Sequence, residues 1–134
     1  MLIEFTVGNY LSFDEPQTLS LEAARITESP DSIIDHDGRK VLKSAVLYGA
    51  NSSGKSNLLN AIGKMRTMVG SSASRSSADS LFIEPFMLRR GQADKPSHFQ
   101  IVLMRGGLIY RYGFEATDEK ISQEWLYLVA GGED

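Results

Sequence analysis

Gly49–Asn57 reads GANSSGKSN, and this stretch decides what kind of fold the chain can have. It meets the pattern G-x-x-x-x-G-K-[ST], a glycine-rich loop that cradles phosphate groups. Gly49 and Gly54 permit a tight turn and a close backbone approach, because neither residue has a Cβ atom. A glycine- and serine-rich turn without function is the alternative. The sequence predicts a phosphate-binding loop if a strand precedes it and a helix follows it.

Each position of the predicted loop has a part in phosphate binding. Successive backbone N–H groups would form an anion nest, and the start of the following helix would add partial positive charge. Lys55 would contact the β- and γ-phosphates, and the Ser56 hydroxyl would ligate Mg²⁺. We therefore expect ATP and Mg²⁺ as cofactors, contacted by Gly49, Ala50, Asn51, Ser52, Ser53, Gly54, Lys55, Ser56 and Asn57.

The segments on both sides of the loop have the required patterns. Ala45–Tyr48 is a continuous apolar run, which is typical of a strand buried on both faces in a parallel sheet. A helix from about Lys55 to Val69 is predicted by apolar residues at helical spacing, namely Leu58, Ile62, Met65 and Val69. Gly70 is the predicted end of that helix.

Most of the remaining chain has the alternation of β-strands. Residues 2–7 form a predicted strand with Ile3, Phe5 and Val7 on one face, and residues 17–22 form its predicted partner. A small hairpin is expected around Asp37-Gly38, since this dipeptide favours a two-residue turn. The serine-rich residues 71–80 are predicted to form a flexible loop.

The last third of the sequence predicts an antiparallel β-meander from about 98 to 130. Residues 81–88 contain Pro85, so we expect them to form an edge strand. Arg105-Gly106-Gly107 is predicted to turn between two strands. Four aromatic residues are expected to make one face of the sheet core: Tyr110, Tyr112, Phe114 and Trp125.

Composition limits the possible classes of protein. The 134 residues fit one domain, and the net charge of −3 with a pI of about 5.4 does not favour coating nucleic acid by charge. The absence of cysteine excludes disulfides and Cys-based zinc sites. The N-terminus lacks the features of a signal peptide, and no apolar stretch is long enough to span a membrane. We expect a cytoplasmic protein with no membrane partner.

Several motifs together resemble a known family. The segments Asn9-Tyr10-Leu11-Ser12-Phe13, Gln17 to Leu21 and Tyr48 to Asn57 resemble the SMC/RecF-like branch of ABC-type ATPases. The nearest resemblance is to the AAA-type ATPases of abortive-infection and overcoming-lysogenization-defect (OLD)-like phage defence. The pieces PFML, YRYGFE and EWLY also look like that family. Relatives often carry Arg where this chain has Leu11, so a basic contribution from that position is in doubt. Tyr10 and Phe13 are expected to pack on the core rather than on the nucleotide.

The resemblance implies an α/β fold, namely the N-terminal lobe of an ABC-type P-loop NTPase head, residues 1–134. This lobe would have a mixed sheet, one main helix and an antiparallel meander. Four apolar residues before an Asp, which would hold the Mg²⁺ water shell, do not occur, and an ABC signature is absent. Leu81–Glu84 is the nearest stretch. We therefore expect ATP hydrolysis in the intact protein but not in this piece alone, with Lys55 as the residue that acts on the phosphates.

The resemblance also implies partners. ATP held between two heads would make a homo-oligomer that controls a toxin or nuclease partner, and contact with DNA stays open. Two other functions stay open as well. One is a non-hydrolysing module that dimerises on nucleotide, and the other, less favoured by the β-rich last third, is a small-molecule kinase.

Overall fold

A computed structural model describes residues 1–25, 30–36, 38–72 and 80–129 of the chain. Seven strands and one α-helix make up its regular structure, with a short 3₁₀ turn at Pro30–Ser32 before the third strand. In chain order the elements are β1 (Leu2–Gly8), β2 (Gln17–Ser20), β3 (Ile33–His36), β4 (Arg39–Leu42), α1 (Lys55–Ser71), β5 (Ser97–Arg105), β6 (Leu108–Ala116) and β7 (Ile121–Val129).

The strands form one large sheet and one small hairpin. The sheet has five strands in the order β2-β1-β5-β6-β7, and β3 pairs with β4 in a separate two-stranded sheet. Every pairing among the described strands is antiparallel, so the predicted mixed sheet is wrong for this part of the chain. The predicted pairing of β1 with β2 and the predicted meander are both confirmed.

Both predicted hairpin turns are present. His36 pairs with Arg39 across the turn that contains Gly38, whose φ is 83°. Arg105 pairs with Leu108, and the two residues between them, Gly106 and Gly107, have φ of 59° and 80°. The turn at Gly106 and Gly107 has positive φ at both central residues, which a type I′ turn requires and which glycine adopts without steric strain.

The two faces of the sheet carry separate apolar clusters. Helix α1 packs on one face against Phe5, Val7, Phe99 and Phe114, all of which are buried. Ile3 lies instead in the cluster of the other face, with Val41, Val102 and Met104. The prediction that Ile3 shares a face with Phe5 and Val7 is therefore wrong. The pairing register of β1 with β5 shifts between Leu2 and Glu4, and such a bulge reverses the alternation of side chains.

Helix α1 begins where the sequence predicts but extends further. Its buried residues are Ala61, Met65 and Met68, whereas Val69 is 46% exposed. Gly70 lies inside the helix, so its prediction as the end is wrong. Two hydroxyls bond the last carbonyls instead, since Ser71 Oγ donates to Thr67 O at 2.7 Å and Ser72 Oγ donates to Val69 O at 2.9 Å. The helix thus ends without a glycine in the left-handed conformation.

Two predicted strands are not formed. Val46 is 72% exposed and Tyr48 is 91% exposed, and residues 43–50 have no strand pairing. A strand that is buried on both faces needs a parallel neighbour and covering layers, which the described residues do not provide. Residues 81–88 form an irregular segment rather than an edge strand. Phe82 has a φ of 51°, and the backbone of this segment bonds to loops rather than to the sheet.

The aromatic residues of the meander are divided between the two faces. Tyr112 and Phe114 face α1, and their ring centroids are 6.3 Å apart. Trp125 pairs with Gly113 and lies beside His98 on the opposite face, with ring centroids 5.4 Å apart. The prediction that Trp125 shares the face of Tyr112 and Phe114 is therefore wrong. Most of the predicted serine-rich loop, residues 73–79, lies outside the described residues.

Candidate functional site

The glycine-rich loop of the sequence forms an open, polar concavity at the start of α1. Its volume is about 400 Å³, and its lining is predominantly polar. The lining residues are Asn51, Ser52, Ser53, Gly54, Lys55, Ser56 and Asn57. These seven predicted residues are brought together by the turn into the helix. Gly49 and Ala50 lie at the entrance of the loop, where their carbonyls face the Lys55 side chain.

Two glycines fit this loop for different reasons. A Cβ atom at Gly49 would lie 2.7 Å from Ser53 Oγ, so the Ser53 hydroxyl, which accepts from Lys55 Nζ, would have to move. Gly54 has a φ of 91°, in the region that other residues adopt only with strain. The sequence pattern thus corresponds to a real steric and conformational requirement at both positions.

Helix α1 begins with free amide donors. Gly54 is its N-cap, and no side chain caps the first turn. The first N–H groups of a helix lack intrahelical acceptors, and the helix dipole places partial positive charge there. The N–H of Leu58 donates to Gly54 O at 3.1 Å, so the donors ahead of it face the concavity without intrahelical partners.

The Lys55 ammonium group folds back over the loop. Nζ donates to Gly49 O at 2.6 Å, to Ala50 O at 2.6 Å and to Ser53 Oγ at 3.2 Å. An ammonium group has three N–H donors, so these contacts occupy all of them. An anion that enters the concavity would meet a positive charge already placed against the loop, and it would replace at least one neutral acceptor.

A turn after β1 reaches the loop from the other side. Tyr10 and Phe13 exchange backbone hydrogen bonds of 2.9 Å, and Asn57 Nδ2 donates to Ser12 Oγ at 3.0 Å. Tyr10 is 5% exposed and packs edge-on against Phe99 with ring centroids 5.1 Å apart. Phe13 is half-buried against the same cluster. The prediction that Tyr10 and Phe13 pack on the core is confirmed.

Several polar side chains outside the loop have structural partners. Gln100 Oε1 accepts from Trp125 Nε1 at 3.2 Å, and Glu124 Oε1 accepts from the Tyr112 hydroxyl at 2.7 Å. The bond to Glu124 depends on the register of β6 with β7. Arg89 forms ion pairs of 2.5 Å with the carboxylates of Asp14 and Glu15.

Other kinds of site receive no support from the described part of the chain. Among residues 1–25, 30–36, 38–72 and 80–129, no three His, Asp or Glu side chains lie close enough to hold a metal ion. In the same residues, no helix is both long enough and apolar enough to cross a membrane. The loop before α1 is the candidate site that sequence and structure share.

The required helix follows the loop, whereas among the described residues the required strand does not precede it. Loop sequence and helix start are therefore the features that indicate the class of P-loop nucleotide-binding proteins. The comparison with family models gives the particular family. Residues 44–133 match the model described as "AAA domain, putative AbiEii toxin, Type IV TA system", and the chain belongs to this family. Its resemblance to AAA-type ATPases of abortive infection is thereby confirmed. Searches of curated proteins and of solved structures found no match.

The match begins just before the glycine-rich loop and continues through β7. It includes the whole of α1 and the meander and leaves out β1 to β4. Membership in an AAA family places the chain among the P-loop NTPases, a class that binds nucleotides with Mg²⁺.

Proposed function

We propose that the loop Gly49–Asn57 binds the phosphate groups of ATP. The observation that carries this proposal is the uncapped start of α1, whose free amides open into a polar concavity beside the Lys55 ammonium group. Amide donors, a helix dipole and a lysine are the combination that binds a polyphosphate. Gly49, Ala50, Asn51, Ser52 and Ser53 would supply the nest, and Gly54 would allow the backbone to approach.

The residues at the start of the helix fit a bound MgATP. Lys55 would exchange its loop carbonyls for β- and γ-phosphate oxygens, and Asn57 would hold the first turn in place. Ser56 is exposed at the second position of the helix, where its hydroxyl oxygen would serve as one ligand of Mg²⁺. The bound Mg²⁺ would supply charge neutralisation for the phosphates.

In the intact protein we propose ATP hydrolysis by water attack on the γ-phosphate. Lys55 would neutralise charge that develops on the transferred group. The carboxylate that activates water is not identified among the described residues. Leu81–Glu84, the nearest apolar run before an acidic residue, is an irregular segment. The family description, with its toxin and Type IV TA system, supports a toxin–antitoxin context. We further propose, from the family resemblance, a homo-oligomer of ATPase heads that controls a toxin or nuclease partner in defence.

Substitution of Lys55 tests nucleotide binding most simply. Lys55→Ala in the full-length protein should weaken MgATP binding by roughly tenfold to a hundredfold, because a charge-assisted hydrogen bond is worth about 1.5–3 kcal/mol. Lys43→Ala is the matched control, since Lys43 Nζ donates to Asp31 O at 2.7 Å in the β3–β4 region. Isothermal titration calorimetry measures both. Equal affinity of wild type and Lys55→Ala would remove the basis of the proposal.

Phosphate release then separates hydrolysis from the other functions. Steady release of phosphate by the intact protein without an acceptor supports an ATPase. Binding without release supports a module that dimerises on nucleotide, and transfer to an added acceptor supports a kinase.

A further inference from the structure

The turn that follows β1 is built to hold one serine in a fixed place. Tyr10 and Phe13 exchange two backbone hydrogen bonds of 2.9 Å, which leaves Leu11 and Ser12 as the two residues of the turn. Leu11 has a φ of 49°, and its N–H donates to Glu84 O at 2.9 Å. A left-handed conformation costs a non-glycine residue about 1–2 kcal/mol, so it persists where the surroundings impose it. The tip of the turn is thus anchored from two sides.

Ser12 lies over the junction between the glycine-rich loop and α1. Its Oγ accepts from Asn57 Nδ2 at 3.0 Å. The same oxygen lies 3.0 Å from the point where a Cβ atom at Gly54 would stand. A serine 45 positions away in sequence from Asn57 therefore bonds to the first turn of the helix and occupies the space that a side chain at the N-cap residue would need.

This contact matters because the loop has few other external attachments. Among the hydrogen bonds of the described residues, those of Gly49–Lys55 stay within the loop and the first turn. Within the described part of the chain, the hydrogen bond from Asn57 to Ser12 is the one that joins this region to a distant segment. Amides that are already in position bind an anion better, because less conformational entropy is lost on binding.

We propose that Ser12 is a positioning residue for the nucleotide phosphates. It orients Asn57 and fixes Gly54, and through them it holds the first amides of α1 toward the concavity. The inference rests on the proposed binding of ATP at this loop. It gives the turn after β1 a part in the site although this turn lies outside the residues that match the family model.

A double-mutant cycle in the full-length protein tests this inference. Ser12→Ala and Asn57→Ala should each weaken MgATP binding roughly threefold to tenfold, the effect of one neutral hydrogen bond. The double variant should bind no more weakly than the poorer single variant, because both substitutions remove the same contact. Ser12→Thr keeps the hydroxyl and should restore most of the affinity. Ser20→Ala is the control, since Ser20 Oγ accepts from the nearby Glu22 N at 3.2 Å.

Thermal unfolding without nucleotide distinguishes positioning from a purely structural role. We expect Ser12→Ala and Ser20→Ala to unfold at similar temperatures while their affinities differ. A fall in the unfolding temperature of Ser12→Ala with unchanged MgATP affinity would overturn the inference. It would also be overturned if the double variant lost affinity by the product of the two single-variant fold-changes, because the two side chains would then act independently. If Lys55→Ala binds MgATP more weakly than wild type but Ser12→Ala binds it equally well, the positioning role is refuted and the proposed function is not. Wild-type affinity in Lys55→Ala refutes the proposed function and the inference together.

Discussion

Single residues at the loop show how local chemistry determines the candidate site. Gly54 combines a positive φ with close contact to Ser12, whereas Gly63 lies in the middle of α1 with open space around it. The two glycines therefore differ in what an added methyl group would meet. The effect of replacing a glycine therefore depends on its φ and on the atoms around it.

Gly54→Ala should weaken MgATP binding and lower the free energy of unfolding by about 1–2 kcal/mol, the expense of a left-handed alanine. Gly63→Ala is the matched control. It should leave binding unchanged and stabilise the protein by roughly 0.5–1 kcal/mol, because alanine is the better helix former. Urea unfolding and calorimetry measure the two effects. Equal behaviour of the two variants would contradict the role given to Gly54.

Tyr112 provides a prediction for alkaline pH. Burial and the hydrogen bond to Glu124 raise the pKa of Tyr112 to about 12. The folded pKa exceeds the ordinary tyrosine pKa of 10.0, so folding favours the neutral phenol. Its contribution to stability is complete below the pKa of the unfolded chain and is lost as pH rises toward the folded pKa. Burial also raises the pKa of Tyr10, so ultraviolet titration of wild type should show two late-ionising tyrosines, and Tyr112→Phe should lack one of them. Ionisation of Tyr112 near the ordinary pKa would be contrary to this assignment.

Sequence and structure agree best where the chemistry is local. The loop from Gly49 to Asn57 could be predicted because its pattern reports backbone requirements of adjacent residues. The cross-strand pair of Tyr112 with Glu124 could not, since it depends on the register of β6 with β7. In the sequence Ser12 is part of a family motif, and its hydrogen bond with Asn57 exists only in the folded chain.

At the scale of elements, one buried asparagine joins the segment before β5 to the end of β1. Asn9 Nδ2 donates to Gln92 O at 2.9 Å and to Lys95 O at 2.8 Å, and Asn9 Oδ1 accepts from Phe86 N at 3.1 Å. Ser97 Oγ donates to Asn9 O. The sequence predicted an edge strand at residues 81–88. That segment instead bonds to loops: Phe86 N donates to Asn9 Oδ1, and Glu84 O accepts from Leu11 N.

Asn9→Ala should lower the free energy of unfolding by roughly 3 kcal/mol. The substitution leaves buried backbone groups without partners, at about 1–3 kcal/mol each, and it places alanine at a φ of 47°. Asn9→Gly separates the two causes, because glycine tolerates that φ but makes no side-chain bond. Urea unfolding measures the difference. A variant as stable as wild type would show that these bonds do not hold the segment.

The strand prediction was wrong where the burial of a segment depends on neighbouring strands that are distant in sequence. Ala45–Tyr48 has the composition of a central strand, yet Val46 and Tyr48 are exposed, because no described strand lies parallel to the segment. In contrast, α1 and the β5–β6–β7 meander were predicted from periodicity and turn residues alone. Their pairing is between neighbours in sequence, which local patterns can determine.

At the scale of the whole molecule, the sheet joins two apolar clusters. The cluster under α1 includes Phe5 and Phe99, and the cluster on the other face includes Ile3 and Val102. Strands β1 and β5 contribute to both clusters. We therefore expect the two faces to unfold in one cooperative transition.

Ile3→Val tests this cooperativity. The substitution removes one buried methylene group from the face opposite α1, so it should lower stability by about 1 kcal/mol. Trp125 is the single tryptophan and lies on the same face as Ile3, whereas the far-ultraviolet helix signal reports α1. The substitution should lower the urea midpoint of the fluorescence transition and that of the helix signal by the same amount. A lower midpoint for the fluorescence alone would show that the two faces of the sheet unfold independently.

The central claim is that nucleotide phosphates bind to the amides at the start of α1. Amide hydrogen exchange of the full-length protein, measured with and without saturating MgATP, tests this claim most directly. We expect slower exchange at Gly49–Asn57 and at the turn of Leu11 and Ser12, with weaker protection in Lys55→Ala at the MgATP concentration that just saturates wild type. Unchanged exchange at Gly49–Asn57 under saturating MgATP, with protection elsewhere in the chain, would contradict it.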